Sequence, residues 1–277
     1  MSIEELNVMN RIQPKLKQLA DQGRKALIPY VVAGDPATEI TVPLLHALVA
    51  AGADMIELGV PFSDPMAEGP AIEAGHQRAL AHHVNLTTVL DMVREFRQKD
   101  SQTPIVLMGY LNPFEKMGYQ EFAQKAQQAG VDGVIVVDLP PEEASEWLQQ
   151  LKQVQIDPIF LVAPTTTAER INMICQHASG YLYYVSLKGV TGSATLDVAS
   201  VAQRLALLRE HTTLPIAVGF GIQDAASAQA VAKVADAVIV GSALVKRIGA
   251  LAQTPALICA QAPQLIKEMR AAMDTAS

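Results

Sequence analysis

Residues 26–60 begin Ala26-Leu27-Ile28-Pro29-Tyr30-Val31-Val32 and end Met55-Ile56-Glu57-Leu58-Gly59-Val60, with a stretch of helical spacing, 41–51, between them. Both short runs are rich in Val, Ile and Leu and largely lack a polar alternate face. That pattern suits strands buried on both sides, hence a parallel sheet with helices packed over it. The same alternation continues to the C-terminus. Further short apolar runs fall at 105–108, 133–137, 158–162, 181–187, 216–220 and 237–240. Between them, helical spacing covers 86–98, 120–129, 141–154, 168–177, 199–209 and 225–233. Asp224 and Thr167 are placed to cap the N-termini of their helices, and Gly52 and Gly130 to end theirs in the left-handed conformation.

Eight such units at a period of roughly 30 residues total about 240–250, the size of a (β/α)8 TIM barrel. An extra N-terminal helix at 3–21 and a final helix at 256–273 use the remainder. The chain has no linker, low-complexity tract or charge block, so residues 1–277 read as a single barrel domain. A doubly wound dinucleotide-binding sheet fits less well. The only G-x-G is Gly219-Phe220-Gly221, with Asp224 where the third glycine belongs, and it follows the seventh strand instead of the first.

Composition excludes several classes. The 277 residues are half apolar, yet no long run is free of polar interruption, so no membrane span is expected. The start, Met1-Ser2-Ile3-Glu4-Glu5, is acidic where a secretion signal is basic, which points to a cytoplasmic protein. Cys175 and Cys259 are far apart and fit reduced thiols better than a disulfide or zinc site. The net charge of −7 offers no basic footprint for nucleic acid or an anionic membrane. An anionic ligand would need a local device such as backbone amides at a helix start.

In a barrel, chemistry sits at the C-terminal ends of the strands. Glu57 stands out there, because it interrupts an apolar strand and a buried carboxylate costs several kcal/mol unless paired or protonated. It reads as a proton-transfer group tuned by burial, against the alternative of a structural carboxylate fixed by a tyrosine or an amide. Gly192, Gly219 with Gly221, and Gly241-Ser242 follow the last three strands, and Ser242 opens a short segment, 243–248, that could be helical. They form a plausible amide nest for phosphate; the alternative is turns that need glycine for conformation alone. All six histidines fall on presumed helices or helix ends, so histidine-ligated metal catalysis is not expected. Only Lys188 lies near a strand end, in a glycine-rich loop poorly suited to a desolvated Schiff-base lysine.

The segment Glu57-Leu58-Gly59-Val60-Pro61-Phe62-Ser63-Asp64-Pro65 resembles the tryptophan synthase α family. The likeness extends through Pro29-Tyr30, Ala33-Gly34-Asp35-Pro36, Tyr110 with Asn112-Pro113, Val136–Pro140, Gly189-Val190-Thr191-Gly192, Gly219-Phe220-Gly221-Ile222 and Gly241–Lys246. It implies cleavage of indole-3-glycerol phosphate to indole and glyceraldehyde 3-phosphate. Glu57 would move protons at indole C3 and the glycerol hydroxyl. Glu68, in the place of a family aspartate, would steady the indole N–H. Tyr30, Met108, Ile135, Tyr183 and Phe220 would line the indole pocket, with Tyr110 also at the substrate, Tyr181 near Glu57 and Thr191 closing over the site. Phosphate would rest on Gly192, Gly219, Gly221, Gly241 and Ser242. The resemblance further implies no metal and no cofactor in this chain, and a pyridoxal-phosphate β subunit met at Ser63, Asp64 and Pro65 in an α2β2 complex. Two alternatives remain: a sugar-phosphate isomerase or epimerase on a related barrel, and a non-catalytic activator of a β subunit.

Overall fold

Nine strand segments are described in the computed structural model, which covers residues 10–186 and 197–275. They are β1 (Ala26–Val32), β2 (Ile56–Gly59), β3 (Ile105–Gly109), β4 (Gly133–Val136), β5 (Asp157–Pro158), β6 (Phe160–Val162), β7 (Leu182–Val185), β8 (Ile216–Gly219) and β9 (Ala237–Val240). All pair in parallel, in the order β5-β4-β3-β2-β1-β9-β8-β7-β6. The two ends of that order are one strand. Only Ile159 separates β5 from β6, and its N–H donates to the Val134 carbonyl at 2.9 Å. The run at 158–162 is thus a single strand that leans first on β4 and then on β7, which closes the ring. The architecture is the (β/α)8 TIM barrel expected from the sequence, and the open doubly wound sheet is set aside.

The helices are α1 (Ile12–Asp21), α2 (Thr38–Ala50), α3 (Pro70–Leu80), α4 (Leu86–Arg97), α5 (Leu111–Met117), α6 (Tyr119–Ala129), α7 (Ser145–Gln153), α8 (Ala168–His177), α9 (Val198–Arg209), α10 (Ala225–Ala232), α11 (Ser242–Ala250), α12 (Ile258–Gln261) and α13 (Gln264–Asp274). Asp224 and Thr167 cap α10 and α8 as expected, and Gly130 ends α6 in the left-handed region. Several boundaries differ from the sequence reading, among them the start of α2 at Thr38. The segment 141–154 opens with a 3-10 turn before α7, and the final helix is broken before α13 by Pro263, which cannot donate a helical hydrogen bond. The extra N-terminal helix is described from Ile12. Helices α3 and α5 had not been given bounds.

Period-two alternation sorts the core into two. Outward-facing strand residues such as Leu27, Leu58, Leu107 and Val238 pack under the helices. Inward-facing ones, including Ala26, Ile28, Val106, Ile135, Tyr181, Ala217 and Ile239, fill the barrel together with Ile12, Leu16 and Leu19 of α1. Helix α1 therefore stoppers the N-terminal mouth. Gly133, first residue of β4, makes room for it: a Cβ there would stand 2.9 Å from Ile12 Cδ1. Asp132 fastens the stopper, its two oxygens bridging Arg11 and Arg97, each at 2.8 Å. The opposite mouth is left for a site.

Candidate active site

The parallel register sets Tyr30 opposite Glu57 and Gly59 opposite Met108, so these residues share the inner face near the C-terminal rim. Glu57 is fully buried. The Tyr181 hydroxyl donates to its Oε1 at 2.6 Å, while Oε2 has no hydrogen-bond partner among the described residues. Burial pushes the Glu57 carboxyl up to about 8, the Tyr181 hydrogen bond opposes the rise, and the charge of Glu68 adds to it. The tyrosine contact named in the structural reading of Glu57 is present. A tyrosine does fix one oxygen; the other is buried and unsatisfied, an arrangement with no structural benefit.

Glu68 ends the loop that leaves β2. Three contacts shape that loop. The Phe62 N–H donates to His76 Nδ1 at 3.0 Å, the Ala67 N–H donates to the Tyr110 hydroxyl at 3.1 Å, and the Glu68 N–H donates to the Pro65 carbonyl at 2.9 Å. The Phe62 ring stacks on Tyr110 with centroids 5.3 Å apart. Glu68 itself is half-buried, and burial pushes its carboxyl up to about 7.

One cavity joins the two sides of the mouth. Tyr30, Glu68, Ile72, Met108, Tyr183 and Phe220 line it, and Gly221, Gly241 and Ser242 form its far wall. Two tyrosines each lie across a neighbouring strand. A Cβ on Gly59 would meet the Tyr30 hydroxyl at 2.3 Å, and one on Gly219 would meet the Tyr183 hydroxyl at 2.2 Å. Glycine is therefore needed at 219 by Tyr183, a reason the phosphate reading had not supplied. Beyond it, Phe220 and Gly221 both take positive φ (87° and 76°), and the Ser186 hydroxyl donates to the Gly219 carbonyl at 3.0 Å and holds that turn. Helix α11 starts at Ser242, without a side-chain cap among the described residues. Its first-turn amides at 244 and 245 return to the Gly241 carbonyl, which leaves those of Ser242 and Ala243 available to an anion.

Most of the expected site converges on this mouth. Tyr30, Met108, Tyr183, Phe220, Gly221, Gly241 and Ser242 line the cavity with Glu68, and Glu57 and Tyr181 lie paired below. Ile135 belongs to the fully buried barrel interior, and Tyr110 supports the loop of Glu68 instead of lining the cavity. Thr191 and Gly192, with Lys188, lie outside the described residues. At the expected partner surface, Ser63 and Asp64 are exposed but Pro65 is buried; the large apolar residue presented there is Met66, 83% exposed. The sequence reading put His76 on a presumed helix or helix end but gave α3 no bounds, and it missed Ile72 in the cavity wall and the place of His76 behind it. A signal existed: Pro70 at a first helical position, followed by Ile72, His76 and Ala79 on one face. Among the described residues no group of three His, Cys, Asp or Glu is arranged to hold a metal ion, and no helix is long and apolar enough to cross a membrane.

A TIM barrel with Glu68 and the start of α11 at one cavity of its C-terminal mouth, and the buried Glu57–Tyr181 pair in the barrel interior, has the layout of a barrel enzyme. The tryptophan synthase alpha chain family matches residues 16–274. The alpha chain of Thioalkalivibrio sulfidiphilus is 60% identical over 266 residues, covering 96% of this chain and 100% of that one. The crystal structure of the alpha subunit from Legionella pneumophila superposes with a TM-score of 0.91 at 47% identity, over 97% of this chain and 100% of that one. A tryptophan synthase structure from Mycobacterium tuberculosis follows at 0.83 and 32% identity, over 95% and 99%. The chain belongs to the tryptophan synthase alpha chain family, and the isomerase or epimerase alternative is set aside.

Proposed function

We propose that Glu57 and Glu68 carry, in this chain, the lyase reaction of a tryptophan synthase alpha chain: cleavage of indole-3-glycerol phosphate into indole and glyceraldehyde 3-phosphate. The observation that carries the assignment is the Glu57 carboxylate, buried on the inner face with one oxygen held by Tyr181 and the other without a hydrogen-bond partner among the described residues. A carboxyl pushed up to about 8 holds its proton near neutral pH and can also release it, as a group that both gives and takes protons must.

The step balances within the substrate. Protonation at C3 turns the ring into an indolenine whose C=N bond serves as the electron sink. Removal of the proton from the adjacent side-chain hydroxyl then drives the C–C electrons into the ring, and the hydroxyl carbon leaves as an aldehyde. Glu57 is the proton carrier. Glu68 accepts the indole N–H and is stabilised as an anion when positive charge develops on that nitrogen. Phosphate lies against Gly221, Gly241 and the Ser242 end of α11, with the expected contribution of Gly192 and the closure by Thr191 completing the site. The phosphate needs no basic side chain there, because the α11 amides supply the donors.

A family member of this kind has a beta-subunit partner. Its pyridoxal phosphate resides in that subunit, and the cleavage chemistry above needs no cofactor in this chain. We place the contact at Ser63, Asp64 and the exposed Met66, within an α2β2 assembly in the cytoplasm, and read residues 1–277 as one domain. Retention of both carboxylates speaks against a role limited to activating the beta subunit. The test is indole release from indole-3-glycerol phosphate by the parent, Glu57→Gln and Glu68→Gln, with and without beta subunit. Glu57→Gln is expected to bind substrate while losing roughly 10²–10⁴-fold in turnover. Glu68→Gln should lose kcat more than affinity. Parent-like rates in both variants would return the carboxylates to a structural role.

A further inference from the structure

Behind the cavity wall, His76 of α3 holds two parts of the active site at once. It is buried, at 2% exposure. Its Nδ1 accepts the Phe62 N–H at 3.0 Å, at the start of the loop that ends in Glu68. Its Nε2 lies 3.3 Å from the Tyr30 hydroxyl, the ring that lines the cavity in register with Glu57. A ring nitrogen that accepts an N–H carries no proton, so the neutral imidazole carries its hydrogen on Nε2 and donates to Tyr30. Burial, which pulls the His76 imidazole down to about 4, keeps it neutral at physiological pH. The Tyr30 oxygen is thereby occupied as an acceptor, and its own proton is free for another partner at the cavity edge.

We propose that His76, acting through Tyr30 and Phe62, is a positioning residue that locks the aromatic wall and the Glu68 loop into one geometry. The rest of α3 is built for rigidity in this role. Arg78 makes two hydrogen bonds to the buried Asp35 carboxylate, at 2.6 and 2.9 Å, and so ties the helix to the end of β1. Gly75 packs against Val245 of α11, with a Cβ there only 3.0 Å from Val245 Cγ1. The helix thus joins the carboxylate side of the mouth to the phosphate side. Neither contact of His76 is replaceable by an aliphatic residue, because the Phe62 amide would lose its acceptor in a region shielded from water.

The inference rests on the reaction proposed above, and the experiment separates the two. We would measure kcat, KM and the thermal midpoint for the parent, His76→Asn, His76→Gln, Tyr30→Phe and the double variant His76→Asn with Tyr30→Phe. Asn places an oxygen where Nδ1 stood and keeps the Phe62 contact alone; Gln reaches toward Tyr30 and keeps that contact alone. Each single His76 variant should lower kcat about tenfold or more, the scale of a small misplacement at a reacting centre, while KM changes less. His76→Asn should lose nothing further when Tyr30 is already Phe, because the shared hydrogen bond is gone. Equal losses from His76→Asn in both backgrounds, or a lowered midpoint with unchanged kcat, would overturn the proposal. A parent that releases no indole would instead overturn the reaction itself.

Discussion

Glu57 shows how a single residue sets activity against stability. Its carboxyl rises from an ordinary value near 4.5 to about 8 in the folded protein, chiefly through burial. The folded state therefore binds a proton that the unfolded chain releases, over the window from about 4.5 to about 8. Stability from this group is fully present below that window and is lost as pH rises through it. Glu68, raised to about 7 by burial, acts in the same direction over a narrower range. Glu57→Gln removes the larger contribution and keeps the shape. The variant should match the parent in stability near pH 5 and exceed it at pH 9, by an amount of order a few kcal/mol. Denaturant unfolding at the two pH values checks this, and an equal gain at both would show that ionisation is not its source. The legible and illegible parts of the site also divide here. A lone acid in an apolar strand is visible in the residues themselves, whereas Tyr181, 124 positions away, was placed near it only by the family resemblance and is brought to 2.6 Å by barrel closure.

Among the elements, α11 carries the proposed phosphate site. The sequence placed a short helix at 243–248 opened by Ser242, and among the described residues its first turn has no side-chain cap. Gly241 offers the clean test. A Cβ there would meet Ile72 and Tyr30 no closer than 3.6 Å, an ordinary contact, so Gly241→Ala should fold normally. If phosphate rests against this position, the methyl enters its space and substrate affinity falls by about tenfold or more, with inorganic phosphate weakened in parallel. Unchanged binding of both by calorimetry would move the phosphate elsewhere. Gly221 is less suitable, because its φ of +76° strains any L side chain whether or not a ligand is present. The element that sequence reading left without bounds, α3, lies after β2, where one βα unit holds two helices, α3 and α4. A search for one helix per strand accepts α4 and passes over the shorter turn set before it.

For the whole molecule, the two mouths of the barrel have separate duties. The N-terminal mouth is filled by α1, with Leu16 and Leu19 among the inward strand residues, while Glu68, Phe220, Gly221, Gly241 and Ser242 of the active-site cavity sit at the other end. Leu16→Ala should therefore destabilise the fold by roughly 2–5 kcal/mol, the range for emptying a buried leucine site, and leave KM for substrate unchanged. Unfolding curves and steady-state kinetics on one preparation check both halves. A shift in KM at temperatures far below unfolding would show that the two ends are coupled.

Sequence by itself determined the class of fold, the order of its strands along the chain, the helix caps at Asp224 and Thr167, and Glu57 as an acid within an apolar strand; Glu68 came from the family resemblance alone. All but Glu68 rest on local chemistry: apolar periodicity, capping groups near the amides they satisfy, and charge placed where burial is expected. Tertiary structure alone decided the rest. Tyr30 and Tyr183 cross neighbouring strands that had to carry glycine, and Tyr110 left the pocket to hold a loop. Pro65 turned inward while Met66 turned out, and His76 came to join Tyr30 to Phe62. The reason is common to all four. Which side chain meets which across a closed barrel depends on strand register and helix docking, and these are fixed by packing the whole chain at once, beyond the reach of any short window of residues.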